Sequence, residues 1–259
     1  MMNIEITDYN VLIAFWLCFT RWSAILIQLP IFEETAVPGL VKVLGSLVIT
    51  YAFFPYLQVE LLKDITYLGV DNFWLLTAFH AVIGLLIGFF VKAIMQVFIG
   101  GGSIITQQVG FSMVRYFDPS AGTGIGPFEK LIQWTVLILI ISSGALLPMF
   151  KGAFASFSSI HIYNVGKMAH SSEYFVMIFK NIFLSSLLLA SPLIFCNIFI
   201  MSILGIIAKL VPQMNIIMVS FVVNIGLGLL IFLSCSDEFF QVAFKIYTDG
   251  LGEWFQFIG

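Results

Sequence analysis

The charged residues of this chain lie between long uncharged stretches. These stretches are residues 9–32, 43–59, 72–91, 93–114, 131–150, 181–208 and 210–236, with Arg21 as the one charge inside the first. Because about 20 consecutive apolar residues form a helix that crosses the hydrocarbon core of a bilayer, six of them are predicted to be membrane helices. The pattern predicts an all-α polytopic membrane protein with about six long hydrophobic helices.

Prolines indicate where several of these helices begin and end. Pro30 is expected to end the first helix, Pro38 to begin the second and Pro55 to end it. Pro148 is expected to end the helix that precedes Lys151.

The stretch of residues 93–114 differs from the others because it is rich in glycine and polar residues. It contains Gly100, Gly101 and Gly102, and seven glycines fall between Gly100 and Gly126. Broken backbone at membrane depth leaves N–H and C=O groups unpaired, which is tolerated only inside protein or beside a watery cavity. We therefore expect a Gly-rich interrupted segment here, not a plain helix facing lipid.

The last two stretches are too long for simple membrane spans. Residues 181–208 and 210–236 number 28 and 27, and a 28-residue helix is about 42 Å long, against a hydrocarbon core of about 30 Å. The turn between them is short. Such a pair predicts a helical hairpin that tilts, bends or packs against protein over much of its length.

Composition agrees with a membrane protein and excludes several other classes. The chain has 259 residues, of which 60% are hydrophobic and 10% charged, and its mean hydropathy is +1.06. Soluble domains carry roughly 25% charged residues, and disordered chains carry few aromatic residues, whereas this chain has 28 Phe. A net charge of −3 with no basic cluster argues against binding to nucleic acid.

The chain shows no motif of an enzyme. His80, His161 and His170 lack the spacing of a zinc protease, and Ser103 is followed by Ile104, where a nucleophile elbow needs a small residue. The three cysteines lie apart in apolar runs and are expected to be buried thiols. We expect no catalytic residue, no metal and no cofactor.

The distribution of basic residues does not orient the chain. If the N-terminus is outside and six helices cross, five basic residues fall on each side, and Arg21 lies inside a span. A clear cytoplasmic excess is usual for a simple bundle. Either the count of six is wrong or the chain is not oriented as an ordinary bilayer protein.

Arg21 is a candidate functional residue because a charge within an apolar run is costly and usually faces a protein interior or a cavity. We interpret it as a functional or inter-subunit residue. The alternative is a helix break that places Arg21 at a membrane interface.

A second candidate is the Gly-rich stretch with its bulky apolar side chains, because hydrophobic constrictions gate pores by excluding water. The candidate gate residues are Phe111, Met113, Tyr116 and Phe117. The candidate hinge residues are Gly100, Gly101, Gly102, Gly122, Gly124 and Gly126. Small residues also let helices approach closely, so gating and helix packing are both open interpretations.

Taken together, several residues resemble the FliR family of flagellar export-gate proteins and their counterparts in virulence type III secretion. The matching positions are Arg21, Pro30, Pro38, Lys42, Pro55, Gln107-Gln108-Val109-Gly110, Asp118-Pro119, Lys209, Pro212-Gln213-Met214-Asn215 and Gly226-Leu227-Gly228. The segment from Lys209 to Asn215 is the most specific. The resemblance extends over about residues 10 to 230, and residues 151–180 match no pattern.

The resemblance implies a non-enzymatic subunit of a channel for unfolded flagellar proteins across the bacterial inner membrane, within the flagellar basal body. Its implied partners are FliP-like and FliQ-like subunits, with FlhB-like and FlhA-like proteins of the export apparatus. Residues 1–180 would be a FliP-like portion and residues 181–236 a FliQ-like hairpin of a single domain. Subunit contacts would involve Arg21 and the hairpin tip, which comprises Lys209, Pro212, Gln213, Met214 and Asn215.

Two alternatives remain at this point. The first is a homologue in a virulence injectisome. The second is a solute transporter with a discontinuous helix at Gly100 to Gly102, which would need a buried acid at the depth of Arg21. No such acid is evident in the sequence.

Overall fold

The computed structural model describes residues 9–29, 37–111, 127–164, 172–213 and 215–258. Over these ranges the chain is helical and has no β-strand, which confirms the predicted all-α class. The helices are α1 (Tyr9–Gln28), α2 (Gly39–Leu68), α3 (Phe73–Val109), α4 (Pro127–Ser142), α5 (Leu146–Ser159), α6 (Ser172–Leu210), α7 (Ile216–Ser234) and α8 (Ser236–Ile258). A short 3₁₀ turn, Val70–Asn72, joins α2 to α3.

Several of these helices are long and apolar enough to span a membrane. Among the described residues four helices meet this condition, namely Tyr9–Gln28, Gly39–Leu68, Val70–Val109 and Val176–Leu210. The number rises to six if α4 with α5, and α7 with α8, each count as one bent span. The prediction of six spans is therefore met only when each bent pair is counted once.

Two helix boundaries predicted from proline are wrong. Pro55 lies inside α2 and does not end it. The helix continues because its buried side chains Phe54, Leu57 and Leu61 keep a helical spacing past the proline. Pro148 lies in the first turn of α5 and does not end a helix, and a proline is tolerated there because the first N–H groups of a helix have no partner within the helix.

The stretch of residues 131–150 is broken where the sequence predicts one helix. The turn at residues 143–145 separates α4 from α5, and Gly144 adopts a φ of 72°. That left-handed conformation strains any residue with a side chain, so Gly144 permits the break.

The interruption expected within residues 93–114 does not occur over the first part of this stretch. α3 runs without interruption past Lys92, because that side chain lies on an exposed face while Phe90, Val91 and Ile94 stay buried. Gly100, Gly101 and Gly102 lie inside the same helix. The helix ends at Val109, where Gly110 has a φ of 90°.

The chain divides into two compact units. The first unit comprises Met1–Met95, Ala145–Val176 and Asp249–Gly259. In it α2 packs against α1 and α5, and Trp22 of α1 lies against Phe53 of α2 and Phe157 of α5 with ring centroids 6.0 Å apart in both cases. Trp22 and Phe157 are almost fully buried, so this aromatic group forms much of the core of the unit.

The second unit comprises Gln96–Gly144 and Met177–Thr248. Here the C-terminal part of α3 packs closely against α6 and α7. The Ser186 hydroxyl of α6 donates a hydrogen bond of 3.1 Å to the Val97 carbonyl of α3. A Cβ added to Gly228 of α7 would lie 3.1 Å from Val109 Cα, so a larger residue would push these two helices apart.

Candidate functional site

Arg21 lies fully inside the first unit, where its guanidinium joins α1 to the end of α5. Nη1 donates a 2.9 Å hydrogen bond to the Ser156 carbonyl, and Nη2 donates one of 3.3 Å to the Ile160 carbonyl. The guanidinium carbon lies 4.4 Å from the centroid of the Phe157 ring, which is a cation–π distance. The sequence prediction that this charge faces a protein interior is confirmed by this burial.

These contacts make Arg21 a cap for the C-terminus of α5. The last carbonyls of a helix have no partner within the helix, and they carry the negative end of the helix dipole. The Ser156 carbonyl also accepts the Ile160 N–H at 3.1 Å, so Arg21 adds a second bond there and supplies a donor to the Ile160 carbonyl just past the helix. Arg21 thereby fixes the position at which the chain leaves α5 and enters the segment of residues 160–164.

A Gly-x-x-x-Gly pair allows α1 and α3 to approach closely beside Arg21. A Cβ on Gly84 would lie 2.6 Å from the Arg21 carbonyl oxygen, and one on Gly88 would lie 2.8 Å from Gln28 Cβ. Both distances are shorter than real Cβ contacts, so the two helices touch through backbone at these positions. The amide of Gln28 also donates to the Leu85 carbonyl. Arg21 is thus held on a helix whose position is tightly fixed.

A group of acidic and histidine side chains lies in the same unit. Asp64 of α2 is 1% exposed. Its Oδ1 lies 3.2 Å from Nδ1 of His161, which belongs to the segment after α5. The backbone N–H of Ile162 donates to the same Oδ1 at 3.2 Å. Glu60, one turn before Asp64, places Oε2 3.3 Å from His161 Nε2.

His80 of α3 approaches the other side of the Asp64 carboxylate. Its Nε2 lies 3.5 Å from Asp64 Oδ2, which is long for a hydrogen bond, and its side chain is fully buried. Within the part of the chain that the structure describes, neither ring nitrogen of His80 makes a hydrogen bond. Phe79 packs edge-on against the ring, with centroids 5.3 Å apart.

The segment after α5 is also closed by its own hydrogen bonds. The side-chain oxygen of Asn164 accepts the backbone N–H of His161 at 2.8 Å, and its amide donates to the Ser159 carbonyl at 2.7 Å. Tyr163 stacks on the His161 ring with centroids 5.0 Å apart and planes 6° from parallel. The segment is therefore fixed by Arg21 at Ile160 and by Asp64 at His161 and Ile162.

Of the predicted gate residues the structure describes Phe111 alone. It follows Gly110 in the turn after α3 and stacks on Phe128 of α4, with ring centroids 5.7 Å apart. Met113, Tyr116 and Phe117 lie outside the described residues. The gate stays a prediction.

The predicted hinge glycines that are described lie in a packed helix. A Cβ on Gly100 would lie 3.0 Å from Ser186 Oγ, one on Gly101 3.4 Å from Leu189 Cβ, and one on Gly102 3.4 Å from Ile132 Cδ1. These distances favour the interpretation that the three glycines bring α3 close to α6 and α4. Gly122, Gly124 and Gly126 lie outside the described residues.

The predicted hairpin tip joins α6 to α7. Lys209 is in the last turn of α6, where a cation suits the negative end of the helix dipole, and Asn215 caps α7 by accepting the Met218 N–H at 3.5 Å. Lys209, Pro212, Gln213 and Asn215 are exposed, and Met214 lies outside the described residues. Their part in subunit contacts stays a prediction, as does that of Arg21.

The sequence analysis missed Asp64, His80 and His161. The expectation that no buried acid accompanies Arg21 is wrong, because Asp64 is 1% exposed and lies in the same unit. Asp64 follows Lys63, which is exposed, so the sequence pattern there indicates a solvent-exposed, polar helix end. One signal was available, since Glu60 and Asp64 are one helical turn apart and therefore share a face of α2.

Comparison with known proteins places the chain among bacterial export proteins. The family described as "Bacterial export proteins, family 1" matches residues 12–249. A flagellar biosynthetic protein FliR of Bacillus subtilis (strain 168) is 25% identical over 91% of this chain and 90% of its own length. The protein of that name from Escherichia coli (strain K12) is 25% identical over 83% and 82%, and that from Borreliella burgdorferi is 29% identical over 62% and 61%.

Proposed function

Since the chain belongs to family 1 of the bacterial export proteins and, within it, to the FliR family, we propose that it forms part of the channel through which unfolded flagellar proteins cross the bacterial inner membrane. It is a component of the flagellar export apparatus and contains several membrane-spanning helices. We place this channel within the flagellar basal body.

The observation that carries the proposal is the length and exposure of α6. It has 39 residues and is therefore about 58 Å long, against about 30 Å for the hydrocarbon core. Large apolar side chains are more than 60% exposed along nearly all of it, namely Val176, Phe183, Leu188, Phe195, Phe199, Ile206 and Leu210. A bilayer cannot cover such a surface over its whole length, so part of it must be covered by other protein.

We assign that cover to FliP-like and FliQ-like subunits, with FlhB-like and FlhA-like proteins next to the assembly. Residues 181–236 act as a FliQ-like hairpin of α6 and α7, and residues 1–180 as a FliP-like portion. The segment with Phe111, Met113, Tyr116 and Phe117 closes the channel, and the glycines at 122, 124 and 126 let it move aside. The subunit performs no catalysis, and its partners supply the energy for export.

The hairpin tip supplies the test of subunit contact. In the double variant Gln213→Ala with Asn215→Ala, recovery of FliP-like and FliQ-like proteins with the tagged chain should fall several-fold. Unchanged recovery would contradict the proposal. The variant Ser142→Ala is the matched control, because that exposed hydroxyl donates to the Leu139 carbonyl of its own helix, α4, outside the hairpin.

Loss of the α7 cap has to be separated from loss of a contact. Serine caps a helix about as well as asparagine, so Gln213→Ala with Asn215→Ser keeps the cap and changes the tip surface. Reduced recovery in this second variant supports a contact. Recovery restored to the original level assigns the first result to helix fraying and contradicts the contact.

Two observations bear on the alternatives. The transporter alternative requires a discontinuous helix at Gly100 to Gly102, whereas α3 is continuous there. The named relatives are flagellar proteins, which favours the flagellar over the virulence system. The genes that neighbour this one provide a direct test of the system.

A further inference from the structure

His161 lies between acceptor oxygens on both sides of its ring. On one side Nδ1 faces Asp64 Oδ1 at 3.2 Å. On the other side Nε2 faces the Ser158 carbonyl at 3.1 Å and Glu60 Oε2 at 3.3 Å. The side chain is 3% exposed, so water does not offer either nitrogen another partner in this arrangement.

This geometry decides how many protons the ring needs. A carbonyl and an ionised carboxylate only accept hydrogen bonds, and a neutral imidazole has one N–H and one lone pair. Whichever tautomer a neutral His161 takes, one lone pair therefore faces an oxygen lone pair at hydrogen-bond distance. The doubly protonated ring donates on both sides and removes this repulsion.

The surrounding charges allow a cation at this position. In the part of the chain that the structure describes, the charged and titratable groups around His161 are Arg21 on α1, Glu60, Lys63 and Asp64 on α2, His80 on α3 and Tyr163 beside His161. Lys63 is half exposed and screened by solvent. Among the described residues the buried and partly buried charges are then Arg21 and the His161 cation against Asp64 and Glu60, which balance.

The arrangement does not suit a metal ion. Ligands of one cation converge on a single point, whereas these oxygens lie on opposite sides of the imidazole ring. Among the described residues no group of three or more His, Cys, Asp or Glu side chains is placed to hold a metal.

We propose that His161 is a proton-binding site that fixes the segment of residues 160–164 onto α2. The bound proton places an N–H between His161 and Asp64 while the other N–H points to Ser158 and Glu60. Loss of the proton places a ring lone pair against an acceptor oxygen on one side of His161 and weakens the hold of α2 on the segment. The Ile162 N–H on Asp64 and the Arg21 contact at Ile160 remain.

His80 provides the internal comparison. It faces one carboxylate oxygen at 3.5 Å, and its Nδ1 has no acceptor among the described residues, so a second ring proton would gain no hydrogen bond there. We therefore expect a neutral His80 beside a charged His161. The chain has 3 His, which makes this distinction measurable.

The test is nitrogen NMR of the full-length protein in lipid nanodiscs with ¹⁵N-labelled histidine, near pH 7, where a free histidine is mostly neutral. The variants His80→Gln and His161→Gln assign the signals. Two protonated ring nitrogens for His161 and one for His80 are the expected result. A neutral His161 overturns the proposal.

Two variants test the link to the segment. Asp64→Asn should convert His161 to the neutral form and increase amide exchange of residues 160–164 at least several-fold, whereas His80→Gln should leave both unchanged. If Asp64→Asn fails to fold, Glu60→Gln is the second variant, because Glu60 is 26% exposed and its replacement removes the outer acceptor charge. The Ser158 carbonyl still faces Nε2 in that variant, so His161 should keep both ring protons. An unchanged His161 signal in Asp64→Asn, or a neutral His161 in Glu60→Gln, contradicts the proposal.

Discussion

Gly84 of α3 and Arg21 of α1 meet through backbone, since a Cβ on Gly84 would lie 2.6 Å from the Arg21 carbonyl oxygen. A backbone atom cannot rotate away as the end of a side chain can. The close approach of α1 and α3 therefore sets the position of the Arg21 side chain, which in turn caps α5.

The substitution Gly84→Ala should destabilise the first unit by about 3 kcal/mol, the upper part of the range for overpacking. The added methyl group must push α1 away from α3. Thermal unfolding in detergent measures the effect. Gly45→Ala in α2 is the matched control, because a Cβ there meets nothing within 4 Å. Equal unfolding temperatures for the two variants would contradict the close approach.

Replacement of Arg21 by methionine should lower stability by about 2 kcal/mol, because the Ile160 carbonyl then lies buried without its donor. Lysine should give an intermediate loss, since one ammonium group does not reproduce the fork of two N–H groups that contacts Ser156 and Ile160. Lys92→Met, on an exposed face of α3, is the control. Unfolding temperatures that do not follow this order would exclude the capping role.

Gly100 and Ser186 allow helix packing to be distinguished from a hinge. Gly100→Ala should cost about 1 kcal/mol, because its Cβ would lie 3.0 Å from Ser186 Oγ, and Ser186→Ala should relieve most of this loss in the double variant. A double-mutant cycle on unfolding free energies measures the coupling. If the two substitutions are additive in stability while export alone is lost, the hinge interpretation is correct and the packing interpretation is not.

Deletion of residues 111–117 tests the gate. The membrane should become permeable to small ions, because the deletion removes the bulky apolar side chains that we propose exclude water from the channel. Phe128→Ala should give a smaller leak, since Phe111 stacks on that ring. Tyr56→Ala is the control because its side chain is 66% exposed on α2, away from α6. A membrane that stays equally tight after the deletion removes this role from the segment.

Much of the fold could be predicted from the sequence, because each membrane helix appears as a continuous run of uncharged, mostly apolar residues. The uncharged runs predicted an all-α membrane protein, and the charge of Arg21 within an apolar run predicted its burial. The helix ends were harder, because a single exposed Lys92 does not interrupt a helix whose buried face continues on both sides. The prediction that Pro55 ends α2 failed for a similar reason. The packing of the buried face of α2 stabilises the helix by more than the loss of one backbone hydrogen bond at Pro55 costs.

The polar site could not be predicted in the same way. Asp64 and His161 are 97 residues apart, and neither lies in a motif with a fixed spacing. Only the packing of α2 against α5 brings them together. The close helix contact at Gly84 and Gly88, in contrast, could be predicted from the sequence, because two glycines four positions apart on an apolar helix indicate helix contact.

The length of α6 has a consequence for how the protein is made. A newly inserted chain presents an apolar helix that extends beyond the bilayer core at one or both ends. We expect this overhang to attract chaperones and membrane proteases until the proposed partner subunits cover it. We expect the lifetime of the chain in cells to depend on the supply of its partners. Copies that fail to assemble would then be degraded, because their long apolar helix stays exposed.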